Sequence, residues 1–133
     1  MGTNYYLHIN TCPHCNKPDD IIHIGKKSFG WAFTIRGHEK INWFKDQTRE
    51  LFKDLSLTSI LSWKTWKKIL LARFPVGTVI KDEYGRVIGK RRFIIMVEES
   101  YKDKKNLIHA RQYQSGGDFV DDGGYSITTG EFS

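Results

Sequence analysis

The chain is poor in cysteine and proline, with two of the first and three of the second in 133 residues. A framework of disulfides is therefore excluded, as is a proline-rich extended chain. No apolar run approaches the roughly 18 residues of a membrane-spanning helix. The start, Met1-Gly2-Thr3-Asn4-Tyr5-Tyr6, has neither the basic and apolar regions of a secretory leader nor the hydroxyl residue of a myristoylation signal at position 6. A cytoplasmic protein is expected. No Ser/His/Asp set has a local signature. There are no internal repeats and no linker long enough to divide the chain.

What is present is enough to pack. Hydrophobic residues make up 39% and aromatics 14%, which fits one globular domain over residues 1–133 and excludes a disordered chain. Both cysteines fall within Cys12-Pro13-His14-Cys15, with His8 before and His23 after. Two thiols and two imidazoles this close are the ingredients of a closed, tetrahedral, structural Zn²⁺ site. If the first two strands pair across the intervening loop, His8 and His23 lie opposite each other near its base. Cys12, Cys15, His23 and His8 are then the ligands, with His38 a rival for the fourth place. Two plain buried cysteines are the competing explanation. A thioredoxin-like redox pair fits less well, because no helix follows the motif. Gly25-Lys26-Lys27-Ser28 is not a phosphate loop, since Asp20 stands where the first glycine is needed.

Hydrophobic patterning gives an α+β fold: a small antiparallel sheet with an N-terminal zinc-knuckle hairpin and one or two packed amphipathic helices. The hairpin part covers about residues 3–36, and the helical and C-terminal strand part about 39–133. Strands are expected over Thr3–Ile9, Ile21–Lys26 and Ser28–Arg36, with Gly25–Ser28 as the turn between the last two. A weak helical spacing runs through Glu39–Ser56. Ser62–Arg73 is the clearest helix, capped by Ser62, with Trp63, Trp66, Ile69 and Leu70 on one stripe and Lys64, Lys67 and Lys68 on another. Val79–Ile88 reads as a hairpin around Asp82-Glu83-Tyr84-Gly85. Lys90–Ser100 suits a helix or a buried strand. His109–Gln114 and Tyr125–Thr129 are expected as late strands on either side of a loop from Ser115 to Gly124.

The net charge of +6 is concentrated. From Leu61 to Arg92 nine basic residues stand against Asp82 and Glu83, a net +7, whereas the C-terminal stretch is acidic. Lys64, Lys67, Lys68, Arg91 and Arg92 are the candidate partner-binding residues for an anionic surface. Asp19, Asp20, Asp82 and Glu83 are better explained as loop and turn residues than as catalytic carboxylates, and no catalytic residue is assigned.

The opening Met1–Tyr6, Cys12-Pro13-His14-Cys15, His23-Ile24-Gly25-Lys26, Gly30-Trp31-Ala32-Phe33, Ser62-Trp63-Lys64, Asp82-Glu83-Tyr84-Gly85-Arg86 and Gly130-Glu131-Phe132-Ser133 together resemble a family of small uncharacterised bacteriophage proteins. The resemblance implies a viral origin, supports Cys12, Cys15 and His23 as metal ligands, and favours a helix over Lys90–Ser100. The chain departs from the pattern at Gly89–Arg92, where an acidic helix start is expected, and at Arg36, where a histidine is common. The expected function is non-enzymatic: a zinc-binding protein that binds a host protein or ribonucleoprotein, in one form an anti-defence inhibitor competing for a surface that receives RNA or DNA. A zinc-dependent hydrolase or nucleotide-acting enzyme, and direct nucleic-acid binding through the basic helix, are the alternatives. No membrane partner is expected, and the oligomeric state is left open.

Overall fold

The computed structural model describes residues 2–28, 32–41, 44–73, 77–102 and 118–129. Its elements are, in order, β1 (Gly2–Ile9), β2 (Asp20–Ser28), β3 (Thr34–Arg36), α1 (Asp46–Asp54), α2 (Trp63–Leu71), β4 (Val79–Asp82), β5 (Val87–Ile88), α3 (Lys90–Ser100), β6 (Asp118–Val120) and β7 (Ser126–Thr128). The strands form one sheet in the order β5-β4-β1-β2-β3-β7-β6. All pairings are antiparallel except β3 with β7. The fold is α+β.

Strand alternation makes this a two-layer structure. Leu7, Ile9, Ile22, Ile24, Ile35, Ile80 and Ile127 turn to one face and are buried. On that face they join Phe52 of α1, Trp63, Trp66, Ile69 and Leu70 of α2, and Phe93, Ile94 and Val97 of α3 in one core. Tyr6, His8, His23 and Lys81 occupy alternate positions and so turn to the other face. Ser62 caps α2 by accepting the Thr65 N–H at 3.0 Å. Asp121 reinforces that helix end from far along the chain: one carboxylate oxygen accepts the Trp63 N–H at 2.8 Å, the other the Gly123 and Tyr125 N–H groups at 2.9 Å. A single side chain thus ties the β6–β7 turn to α2.

Several expectations are corrected. Gly25–Ser28 is strand, not turn: Gly25 pairs with Tyr5 and Lys26, Lys27 and Ser28 with Asn4, Thr3 and Gly2. A β-bulge falls here, and a side chain at Gly25 would meet the Thr34 carbonyl oxygen at 2.2 Å. Glycine is needed for β3 to approach. Among the described residues of Glu39–Ser56 the helix sought there is α1, whose start is held by Asp20 accepting the Lys45 N–H at 3.1 Å and the Thr48 hydroxyl. The loop expected over Ser115–Gly124 contains β6. The strand expected over His109–Gln114 lies outside the described residues. Of the two readings of Lys90–Ser100, the favoured helix holds, because Phe93, Ile94 and Val97 fall on one buried stripe while Ile95 is 54% exposed.

The loop before β3 is fastened to the end of α3. The Phe33 N–H donates to Ser100 Oγ at 2.9 Å, and that hydroxyl donates to the Val97 carbonyl at 2.6 Å. Tyr101 adds a hydroxyl that donates to the Phe33 carbonyl and accepts the Ser126 N–H at 3.0 Å. Burial pushes that hydroxyl's pKa well up, so it stays protonated. Ser100→Ala leaves the Phe33 N–H buried without this acceptor and is expected to cost about 1–3 kcal/mol. Urea titration checks this as a lower midpoint at an unchanged slope.

Candidate functional site

The connection between β1 and β2 is an ordered extension of the hairpin. The Asp19 N–H donates to the Ile9 carbonyl at 2.7 Å, Cys12 to Lys17 at 2.9 Å and Asn16 to Cys12 at 2.8 Å. Asn10 and Asn16 take left-handed backbone, which asparagine tolerates better than most residues. The other side of the tip is pinned by the Thr11 N–H donating to Gly77 at 3.0 Å. Gly77 has φ +94°, and a Cβ there would lie 2.5 Å from the Thr11 carbonyl oxygen, so the anchor requires glycine. Cys12 is half-buried, whereas Pro13, His14, Cys15, Asn16 and Lys17 are exposed. The Cys12 sulfur accepts the backbone N–H groups of Cys15 and His14 and lies within hydrogen-bonding reach of the Cys15 thiol. These bonds hold its pKa below the ordinary thiol value. Both cysteines are free.

The histidines are placed differently from the expected ligand geometry. His8 sits opposite Ile21, and His23 opposite Tyr6, so the two are not cross-strand partners. His23 lies three positions inside the end of β2, about 10 Å along the strand. Its Nε2 donates to the Asn4 side-chain oxygen at 2.9 Å, and its ring stacks on Tyr6 at 4.9 Å. His38 is buried against Phe44 and Trp66, and its Nε2 donates to the His23 carbonyl at 2.9 Å. Burial pushes the His8 pKa down, and Lys81 adds to the effect. Cys12 and Cys15 are therefore brought together, and His8, His23 and His38 are held elsewhere. Among the described residues no three His, Cys, Asp or Glu side chains form a metal-binding group.

The basic residues are likewise divided. Lys67 pairs with Glu98 at 2.7 Å and Lys68 donates to the Leu55 carbonyl at 2.9 Å, whereas Lys64 is exposed. Arg91 and Arg92 are exposed in the first turn of α3, which holds no acidic residue and has Gly89 at its N-cap with no side-chain cap bond. Arg86 pairs with Asp82 at 2.8 Å. Burial pushes the Asp82 carboxyl up, but bonds from Arg86 and the Tyr84 N–H outweigh it and hold the pKa low. Asp82 is thus a turn residue, as expected, and so is Asp19, which accepts from the Asn10 side chain at 2.9 Å. Arg36 donates to the carbonyls of Gly37 and Thr129, tying β3 to the end of β7.

Sequence reasoning missed a cleft of about 560 Å³ at the start of α2, where Trp63, Lys64, Lys67, Glu98, Asp121 and Tyr125 meet. Glu98 accepts from Lys67 Nζ and, at 3.1 Å, from Trp63 Nε1. No local signal could have found it, because its parts come from α2, α3 and the β6–β7 turn. The Lys67 hydrogen bond holds the Glu98 pKa below its ordinary value, with burial opposing. The unfolded chain therefore takes up this proton first as pH falls. The stabilisation is complete above the unfolded value near 4.5 and is lost as pH drops through the lower folded value. Glu98→Gln is expected to flatten this part of the acid limb in urea midpoints followed from neutral pH to about pH 3. The effect is small, since the pair is partly exposed.

Comparison with protein-family models, with curated proteins and with solved structures finds no match for this chain.

Proposed function

We propose that the protein is a non-catalytic binding protein whose cationic segment docks on the phosphate backbone of nucleic acid within a host ribonucleoprotein. The observation that carries this reading is the net +7 between Leu61 and Arg92, together with the places its cations occupy. Lys64, Arg91 and Arg92 have no ion pair among the described residues. Arg91 and Arg92 also stand where a helix prefers anions, because unpaired N–H groups make that end positive. An arriving phosphate relieves the repulsion there. The resemblance to small bacteriophage proteins supports a host component as the target.

A competitor for a protein surface that receives RNA or DNA has to be anionic, since such a surface is itself cationic and repels like charge. The sign of the charge therefore favours contact with the nucleic acid. The hydrolase alternative lacks support from the carboxylates, since Asp19, Asp20 and Asp82 are occupied in turns and a helix start.

Binding to a generic RNA duplex, followed by fluorescence anisotropy across a salt series, is expected to give a linear fall of log K with log salt. Charge reversal of both Arg91 and Arg92 to Glu is expected to shrink the slope by about 1.5–2. The same variant is expected to raise unfolding stability by about 0.3–1 kcal/mol per residue, because acidic side chains suit the start of α3. Binding that ignores salt, or survives the double reversal unchanged, overturns the reading.

A further inference from the structure

We infer that the Cys12–Cys15 tip is one half of a tetrahedral Zn²⁺ site completed by the same two residues of a second copy of this chain. The reasoning begins with ligand number. Zn²⁺ in a closed site takes four nitrogen or sulfur ligands. The tip supplies two thiols from one tight turn, closed by the Asn16 N–H donating to the Cys12 carbonyl at 2.8 Å and the Cys12 N–H donating to the Lys17 carbonyl at 2.9 Å. Among the described residues no third ligand is gathered beside the sulfurs, and His23 and His38 are held by Asn4 and by the β2 backbone.

Access is the second requirement. The tip projects beyond the paired strands, and residues Pro13 to Lys17 are all exposed. Two such tips can therefore approach head to head without displacing any core residue. The hydrogen bonds from Cys12 to Lys17 and from Thr11 to Gly77 hold the turn in shape before the ion arrives, which lowers the ordering cost of binding.

The third consideration is what drives association. The exposed tip residues (Pro13, His14, Cys15, Asn16 and Lys17) offer little apolar area, and each chain carries +6, so two copies repel. The ion must supply the attraction, and each thiol releases its proton on coordination. Dimerisation then depends on both metal and stoichiometry. At one ion per two chains the site is complete. With zinc in excess each chain holds its own ion, two waters fill the remaining positions, and the dimer divides.

The experiment is a zinc titration of the full chain under reducing conditions, with mass followed by light scattering on a sizing column. The expected result is a doubling from 15.5 kDa that peaks at half an equivalent of zinc, declines in excess zinc and disappears with chelator. Cobalt substitution is expected to give the absorption of a four-thiolate tetrahedral centre. Cys15→Ser is expected to abolish the dimer with an unchanged circular dichroism spectrum, since its side chain is exposed. A joint His8→Gln and His23→Gln variant is expected to dimerise as the parent does. One ion per monomer with a mixed sulfur and nitrogen spectrum overturns the inference, as does absence of zinc binding, an intrachain disulfide that forms under reducing conditions, or a dimer that persists in Cys15→Ser.

Discussion

Two-sided pairing of β1 is the constraint on which the rest of the molecule depends. The strand is bonded to β2 along one edge and to β4 along the other, with Leu7 and Ile9 fully buried beneath the helices. A slip of one residue would turn Tyr6 and His8 into the core and Leu7 and Ile9 out of it. Each buried aliphatic side chain is worth about 1.5–3 kcal/mol, so the penalty for misregister is several such amounts. Because β4 runs antiparallel to β1, its turn at Asp82–Arg86 lies at the end of the sheet away from the cysteine tip.

The parts of this architecture legible in the sequence are those encoded by local period. Ser62 followed by the Trp63, Trp66, Ile69 and Leu70 stripe specified α2 almost to its bounds, and the Val79–Ile88 hairpin followed from its turn residues. Phe93–Val97 was ambiguous because five consecutive apolar residues satisfy either period, and tertiary burial decided it. Gly25–Ser28 misled for a different reason. Its glycine and lysines have turn composition, but Gly25 is required by the close passage of β3, a contact with no local trace. The cleft around Glu98 and the parallel pairing of β3 with β7 are also products of long-range closure. In the candidate metal site the paired sulfurs were legible, because two residues of spacing confine them. The offset between His8 and His23 is set by how the loop closes, with Ile9 paired to Asp20, and the residue types in the loop do not reveal that closure.

The charge distribution sets stability against binding. Acidic residues are missing from the first turns of both α2 and α3, and cations take their place. Lys67, beyond the first turn of α2, pairs with Glu98, and the same carboxylate accepts the Trp63 indole N–H in the packing between α2 and α3. Arg91 and Arg92 have no such compensation among the described residues, so the helix start bears a cost that an anionic ligand would remove. Residues that weaken an element locally while remaining accessible are better explained by recognition than by folding.

The core also bears on what a metal at the tip could do. None of residues 10–20 belongs to the buried apolar cluster, and the tip is held by backbone bonds to Gly77 and across its own turn. In small zinc modules the ion supplies folding energy because there is too little apolar surface to bury. Here Trp66, Phe33, Phe52 and Phe93 are fully buried with a continuous set of aliphatic residues, and that core closes without the cysteines. By linkage, an ion at the tip stabilises the fold only as far as the folded tip binds it more tightly than the unfolded chain, in which Cys12 and Cys15 are still two residues apart. The ion's free energy is available for whatever else the two sulfurs bring within reach, which makes association, and not folding, the process a metal at this position would control.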